Sequence, residues 1–344
     1  MTFKSGISRE FESETKTVIV SAVLETTGHV RFGDGTDINV TVTEKDVVAG
    51  GVEKVVFAGT KRRGVDRRTM HELRNKYWEL KEGDCFIPAL CGMCPICLLL
   101  GFTGTTSEVK KIKDLGVNCK SRILYATAYS VQPSGDAVTT HSRNQVNERS
   151  QTTAGSAGIH TEEVIVAGTV FPTYTTLHHV LDWEIGAFAH AFLENVSQGR
   201  YTAASRAQGG MRFAEANGEP MVVVDVSESG VFPIPVPKVP ASVSDVSAVK
   251  DAFIEGSDAR KSRTKIKDFG FSVEERDGGQ VWKRSNEEIG SRFSGEAALA
   301  YLRKRQGDFL DFMSSMKKNN GAEEFRKGAE KYFKEVSKKK DAGE

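Results

Sequence analysis

EVIVAGTVFPTYT, Glu163 to Thr175, and DWEIGAFAHAFLENV, Asp182 to Val196, decide the fold class. The first is rich in β-branched and aromatic residues and reads as strand. The second repeats Ile185, Phe188, Ala189, Phe192 and Leu193 on one helical face, with Asp182 expected as N-cap. A strand followed by an amphipathic helix, with long insertions elsewhere, indicates α+β rather than a regular βαβ alternation.

Towards the N-terminus, residues 16–44 alternate with period two and contain TVIVSAVLETTGHVRFGDGTDINVTVT. Val18, Val20, Val23 and Leu24 mark a strand, Gly33-Asp34-Gly35 a turn, and Ile38, Val40 and Val42 a second strand, so a β-hairpin is expected. DRRTMHELRNKYWELK, residues 66–81, predicts a helix through Met70, Leu73, Tyr77 and Leu80. SRILYATAYSV, Ser121 to Val131, is β-rich, and a polar Gly/Ser/Thr-rich segment runs from Pro133 to Ile159. A loop that long is uncommon unless it works.

Towards the C-terminus, SQGRYTAASRAQGGMRF (197–213) leads to the strand MVVVDV (221–226), and VFPIPVPKVP (231–240) reads as an extended connector. The rest is expected to be mostly helical, ending in a Lys-rich amphipathic helix through Phe325, Tyr332 and Phe333.

With 344 residues, 39% hydrophobic and 27% charged, the chain can bury a core. No run of about 18 apolar residues occurs, so neither a membrane span nor a membrane partner is expected. MTFKSGISREFESETK at the N-terminus lacks an apolar h-region, so no secretory signal is expected and a cytoplasmic location is. The net charge of +1 is unevenly spread: −3 over residues 1–60, +6 over 61–125, −6 over 126–302 and +4 over 303–344. Two basic concentrations suit a polyanion footprint, although Lys-rich helices also serve simply to solvate a surface.

Four of the five cysteines fall in Cys85-x5-Cys91-x2-Cys94-x2-Cys97. Thiolates two residues apart curl round one ion, so structural zinc is the first expectation, with His71 replacing Cys85 as the alternative fourth ligand. An iron–sulfur cluster and unmetallated cysteines are the competing readings. Lys61-Arg62-Arg63 and Arg67-Arg68 place five cations within eight residues. Lys110, Lys111, Lys113, Lys120 and Arg122 follow the knuckle, and both groups suit a run of phosphates if they are not a solvated loop. In the glycine-rich segment, Arg200, Arg206 and Arg212 can pair with phosphates and Tyr201 can stack on a base, whereas the plain alternative is a flexible surface loop. The spacing is neither a P-loop nor a Rossmann fingerprint.

Catalytic patterns are weak. His141, His160, His178, His179 and His190 are scattered, and His190 is expected to be a core histidine. Glu148 and Glu162-Glu163 are the carboxylates to consider as metal or base ligands, with solvated loop charges the ordinary description.

CGMCPICLLLGF, RNQVNERSQTTA, TEEVIVAGTVFPTYTTL, the apolar helix and GRYTAASRAQGGMRF, spanning roughly residues 60–215, together resemble the guide-RNA-binding backbone subunit of CRISPR effector (Cascade) complexes in its type I-D form, within the repeat-associated RNA-binding superfamily. The resemblance implies an RRM-like (ferredoxin-like) core carrying insertions. Residues 1–60 and 121–240 would form that core, 61–120 an inserted basic zinc-binding segment, 133–160 a protruding β-hairpin thumb, and 241–344 the helical C-terminal region. It further implies copies stacked head to tail on the guide RNA (crRNA), with other effector subunits and a target DNA strand as partners. Arg143 and Arg149 in the thumb then join the RNA-binding candidates. Related RNA-targeting complexes carry an Asp in the matching loop, where this sequence has Asn147-Glu148, so a passive backbone is expected. A zinc-containing nuclease acting through Glu148 or Glu162-Glu163, and a stand-alone RNA-binding protein, are the alternatives.

Overall fold

Lys16–Thr26 lies at the centre of the fold, because its alternating Val and Ala side chains have partners on both faces. A computed structural model describes residues 4–8, 13–33, 40–44, 51–78, 85–104, 113–114, 116–144, 146–147, 149, 152–153, 159–202, 209–233, 235–257, 270–276, 278–318 and 320–341. The central strand pairs antiparallel with Val170–Val180 along one edge. Along the other it pairs with Val222–Ser227 and Met211–Phe213. Ile123–Tyr125 adds beyond Val170–Val180; Glu287–Ser294, Gly279–Arg284 and Phe271–Arg276 add beyond Val222–Ser227. Among the described residues this makes one antiparallel sheet of eight strands.

The hairpin expected over residues 16–44 is not how the central strand is paired. Both of its edges are taken by segments far along the chain; among the described residues the next segment meets Phe32, beyond the end of the strand, through the Val42 amide on the Phe32 carbonyl at 3.0 Å, and Asp34-Gly35 of the expected turn and Ile38 lie outside the described residues. Period two identifies a strand but carries no information about its partner.

Val18, Val20, Ala22 and Leu24 bury one face with Phe171, Leu177 and Val224, while Val23 buries the other with Val170 and Val223. Helices Asp182–Ser197, Gly59–Tyr77 and Glu296–Lys317 cover the first face. Val246–Ser257 covers the second through Val249 and Phe253. Gly186 permits the closest helix approach: a Cβ there would stand 1.9 Å from the Arg305 carbonyl oxygen. Trp183 stacks on Phe312 with ring centroids 3.9 Å apart, closing the same seam.

Several boundaries differ from expectation. The basic helix starts at Gly59, ahead of the residues 66–81 inferred from apolar spacing, because Arg62 and Arg67 point inward. Leu181, not Asp182, is the N-cap of the apolar helix, and the Glu184 carboxylate accepts its amide at 3.0 Å. His190 is half-buried, with Nδ1 3.1 Å from Gln306 Nε2. In the polar 133–159 segment, Val138–Asn144 and Ile159–Ile165 form a two-stranded antiparallel ladder. The C-terminal third is less helical than expected, since three of its segments extend the main sheet. No helix of the described residues is long and apolar enough to cross a membrane.

Candidate metal centre and nucleic-acid interface

Proline at the first helical position and a tight turn bring the cysteines together. Gly92 takes φ +65°, and Cys94 caps the helix Pro95–Leu100, its Sγ accepting the Cys97 amide at 3.4 Å. Cys85 Sγ accepts the Cys91 amide at 3.3 Å. The Cys85, Cys91, Cys94 and Cys97 sulfurs all lie within 4.8 Å of one another; Cys85–Cys97 is 3.3 Å and Cys91–Cys97 4.0 Å. A tetrahedron with Zn–S near 2.3 Å has sulfurs about 3.8 Å apart, so this donor set fits one such ion. The spacing leaves no room for a multi-iron cluster, and the sulfurs form no disulfide.

The surroundings favour thiolate at Cys94 and disfavour it at Cys97. Burial opposes ionisation of Cys94, but hydrogen bonds from Cys85, Cys91 and Cys97 and the Arg74 guanidinium hold it well below the usual thiol range. Hydrogen bonding with Cys85, followed by its other thiol neighbours and burial, leaves Cys97 well above it. Arg74 is itself buried. His71, the alternative fourth ligand, lies outside the four-sulfur group: burial lowers its pKa to about 4, and neither ring nitrogen has a hydrogen-bond partner. Cys119 is also outside the set, its thiol pushed up to about 11 by burial.

A polar cleft of about 680 Å³ runs between the basic helix and the glycine-rich segment, lined by Arg68, Thr69, Glu72, Arg200 and the backbones of Gly199, Gly209 and Gly210. The ends of that segment touch. A Cβ on Gly199, at φ +63°, would lie 3.0 Å from Gly210 Cα. One on Gly209 would lie 2.4 Å from the Gly28 carbonyl carbon, so the backbone itself forms this wall. Lys61, half-buried on the same helix as Arg68, has its ammonium 5.2 Å from the Phe32 ring centroid. Burial, then Arg31 and Arg68, lower its pKa to about 8.

The structure sorts the predicted cations into two groups. Arg68, Arg149, Arg200 and Arg212 are exposed, with Arg200 2.6 Å from Glu72 and Arg212 3.4 Å from Glu25. Arg62 and Arg67 are internal, which corrects their assignment to an RNA-facing surface. Arg62 donates to the Ala126 and Tyr174 carbonyls at 3.2 and 3.4 Å and to Thr175 Oγ1 at 2.8 Å. Arg67 donates to the Gly101 carbonyl at 2.8 Å and Arg63 to that of Leu100, binding the helix to the cysteine knuckle. Arg122 is buried against Glu184, with Nη1 2.7 Å from Oε2. Tyr201, assigned to base stacking, is fully buried. Glu162 pairs with Arg31 at 2.9 Å and Glu163 accepts the Thr41 amide at 2.9 Å. Lys113 is exposed. Lys110, Lys111, Glu148 and Arg206, and the side chain of Arg143, lie outside the described residues.

A sequence profile for the Csc2 CRISPR family matches residues 20–214, which is more than half of the chain and includes the knuckle and the residues that line the cleft. The chain belongs to the Csc2 CRISPR family. Its fold is similar to that in a crystal structure of Thermofilum pendens Csc2, at TM-score 0.52 and 17% identity over 96% of this chain and 93% of that one. A chain of a CRISPR RNA-guided surveillance complex, pre-nicking, matches at TM-score 0.41 and 11% identity over 72% of this chain and 89% of that one. Comparison with curated protein sequences finds no match. The Csc2 profile ends at residue 214, so the three C-terminal strands and the helices that follow them lie beyond it.

Sequence reasoning missed Asp66 and Asn195, the polar residues behind the cleft wall. Asp66 stands within the basic run as the lone acid of residues 61–71, a signal that an internal partner was needed.

Proposed function

We propose that this chain binds guide RNA along its length as a repeating backbone subunit of a CRISPR interference complex, in its type I-D form, and presents the guide for pairing with a target DNA strand. The polar cleft carries this proposal: exposed Arg68 and Arg200 line it together with the backbones of three glycines. Such a surface suits a sugar–phosphate chain of any sequence, with sequence reading left to base pairing.

An RRM-like core belongs to the same proposal. It is supported by the sheet order Val222–Ser227, Lys16–Thr26, Val170–Val180, Ile123–Tyr125, with helices following the first and third of these strands in chain order, the connectivity of a βαββαβ unit. The ladder of Val138–Asn144 with Ile159–Ile165 would be the thumb. Copies would stack head to tail through a heterologous contact, which propagates along RNA instead of closing. Other CRISPR effector subunits and a cytoplasmic setting complete the proposal. Cys85, Cys91, Cys94 and Cys97 would hold zinc, which when bound contributes folding energy to a segment with little core of its own. No catalytic role is assigned; Glu162 and Glu163 are engaged by the protein's own donors.

The test is salt-dependent binding of unrelated single-stranded RNAs by Arg68→Ala and Arg200→Ala. Each should weaken all sequences equally and make the log–log salt slope shallower by about 0.7, the value for one phosphate contact on a single strand. Sequence-selective loss, or no loss at either position, refutes phosphate binding at this cleft.

A further inference from the structure

The buried face of the cleft wall is polar, and we infer that Tyr201 and Asp66 are positioning residues that hold the described ends of the glycine-rich segment, residues 199–202 and 209–210, in their RNA-binding arrangement. This inference rests on the RNA-binding function proposed above. The Tyr201 hydroxyl donates to Asp66 Oδ1 at 2.7 Å, and Asn195 Nδ2 donates to the same oxygen at 2.8 Å. Asn195 Oδ1 in turn accepts from Thr69 Oγ1 at 2.6 Å. The network therefore joins three elements: the basic helix through Asp66 and Thr69, the end of the apolar helix through Asn195, and the glycine-rich segment through Tyr201.

These donors suit an ionised carboxylate, which only accepts. Arg62, one helical turn before Asp66 and equally buried, supplies the opposite charge. A charge held this deep is costly, and an apolar set of the same shape would serve stability as well or better. What the network supplies is direction. The segment leaves the helix through Gly199 at φ +63°, and the Arg200 amide bonds the Asn195 carbonyl at 2.9 Å. With Tyr201 pinned two residues on, Arg200 projects towards the cleft and Gly199 meets Gly210, which the Thr27 hydroxyl accepts at 3.1 Å.

The experiment compares Tyr201→Phe, Asp66→Asn and Asp66→Ala in the full-length, metal-loaded chain. Two quantities are read: amide hydrogen exchange at residues 199–202 and 209–210, and affinity for single-stranded RNA across a salt series. Tyr201→Phe preserves packing and removes only the hydroxyl. It should speed exchange at those amides by about tenfold and weaken RNA binding by about tenfold, the scale of one buried hydrogen bond, with an unchanged salt slope. Asp66→Asn keeps an acceptor at Oδ1 and should rescue both quantities, whereas Asp66→Ala should not. Wild-type exchange and affinity in Tyr201→Phe overturn the inference, as does failure of Asp66→Asn to outperform Asp66→Ala. If Asp66→Ala fails to fold, the isosteric Tyr201→Phe still decides. A wild-type chain that binds no RNA overturns the functional proposal, and the exchange measurement then judges the positioning role by itself.

Discussion

A buried ion pair lies in the ladder that joins the C-terminal strands to the core, and removing half of it should be among the most damaging single changes in the protein. Asp225 on Val222–Ser227 stands directly opposite Arg292 on Glu287–Ser294. The contact is bidentate: Arg292 Nε is 2.6 Å from Oδ1 and Nη2 3.0 Å from Oδ2, while Nη2 also donates to the Pro235 carbonyl at 2.8 Å. Asp225 is 0% exposed and Arg292 1% exposed, so neither charge can recover water if its partner is lost. Asp225→Ala leaves a buried guanidinium without its carboxylate, which should cost ~3–5 kcal/mol. Asp225→Leu with Arg292→Met removes both charges and should recover most of that loss, giving a coupling of at least ~2 kcal/mol. Urea denaturation followed by tryptophan fluorescence is the assay, because Trp282 lies on the neighbouring strand Gly279–Arg284 and is fully buried. An Asp225→Ala midpoint within ~1 kcal/mol of wild type would refute the argument. So would a double variant as unstable as the two single losses added.

Two further outcomes are expected. Purified chain should contain about one zinc, and Cys94→Ser or chelation should free the helix Gly321–Asp341, whose Phe333 packs on Phe102 beside the knuckle; limited proteolysis should then cut that helix first, and a metal-free chain with unchanged protection contradicts a structural ion. RNA affinity at fixed ionic strength should fall as pH rises from 7 to 9, because Lys61, with its pKa lowered to about 8, loses its charge across that interval; Lys61→Arg should flatten the profile, and identical profiles would remove Lys61 from the interface.

The cysteine knuckle was legible because its geometry is local: two-residue spacings and Pro95 suffice to aim three sulfurs at one point. The apolar helix was legible for the same reason, its face repeating within five turns. The basic block was only half legible. Spacing shows that Lys61, Arg62, Arg63, Arg67 and Arg68 crowd together, but a helix turns successive residues through about 100°, so some must face inward when one face is buried. Arg62 found carbonyls and a threonine hydroxyl inside, while Arg68 did not turn inward. Tyr201 misled for a related reason. An aromatic residue among glycines and arginines suits a base stack, yet its hydroxyl had an internal acceptor that the local sequence does not display.

By itself the sequence determined the α+β class, the cysteine cluster and the region in which cations gather, since each follows from residue types a few positions apart. The tertiary structure alone decided which strand pairs with which, which charges reach solvent, and how the C-terminal third is attached. Those outcomes depend on contacts between residues far apart in the chain: 62 positions separate Arg122 from Glu184, 67 separate Asp225 from Arg292, and 135 separate Asp66 from Tyr201. A buried charge or hydroxyl is stable only where a partner meets it in the dry interior, and the packing of the whole chain determines where that happens.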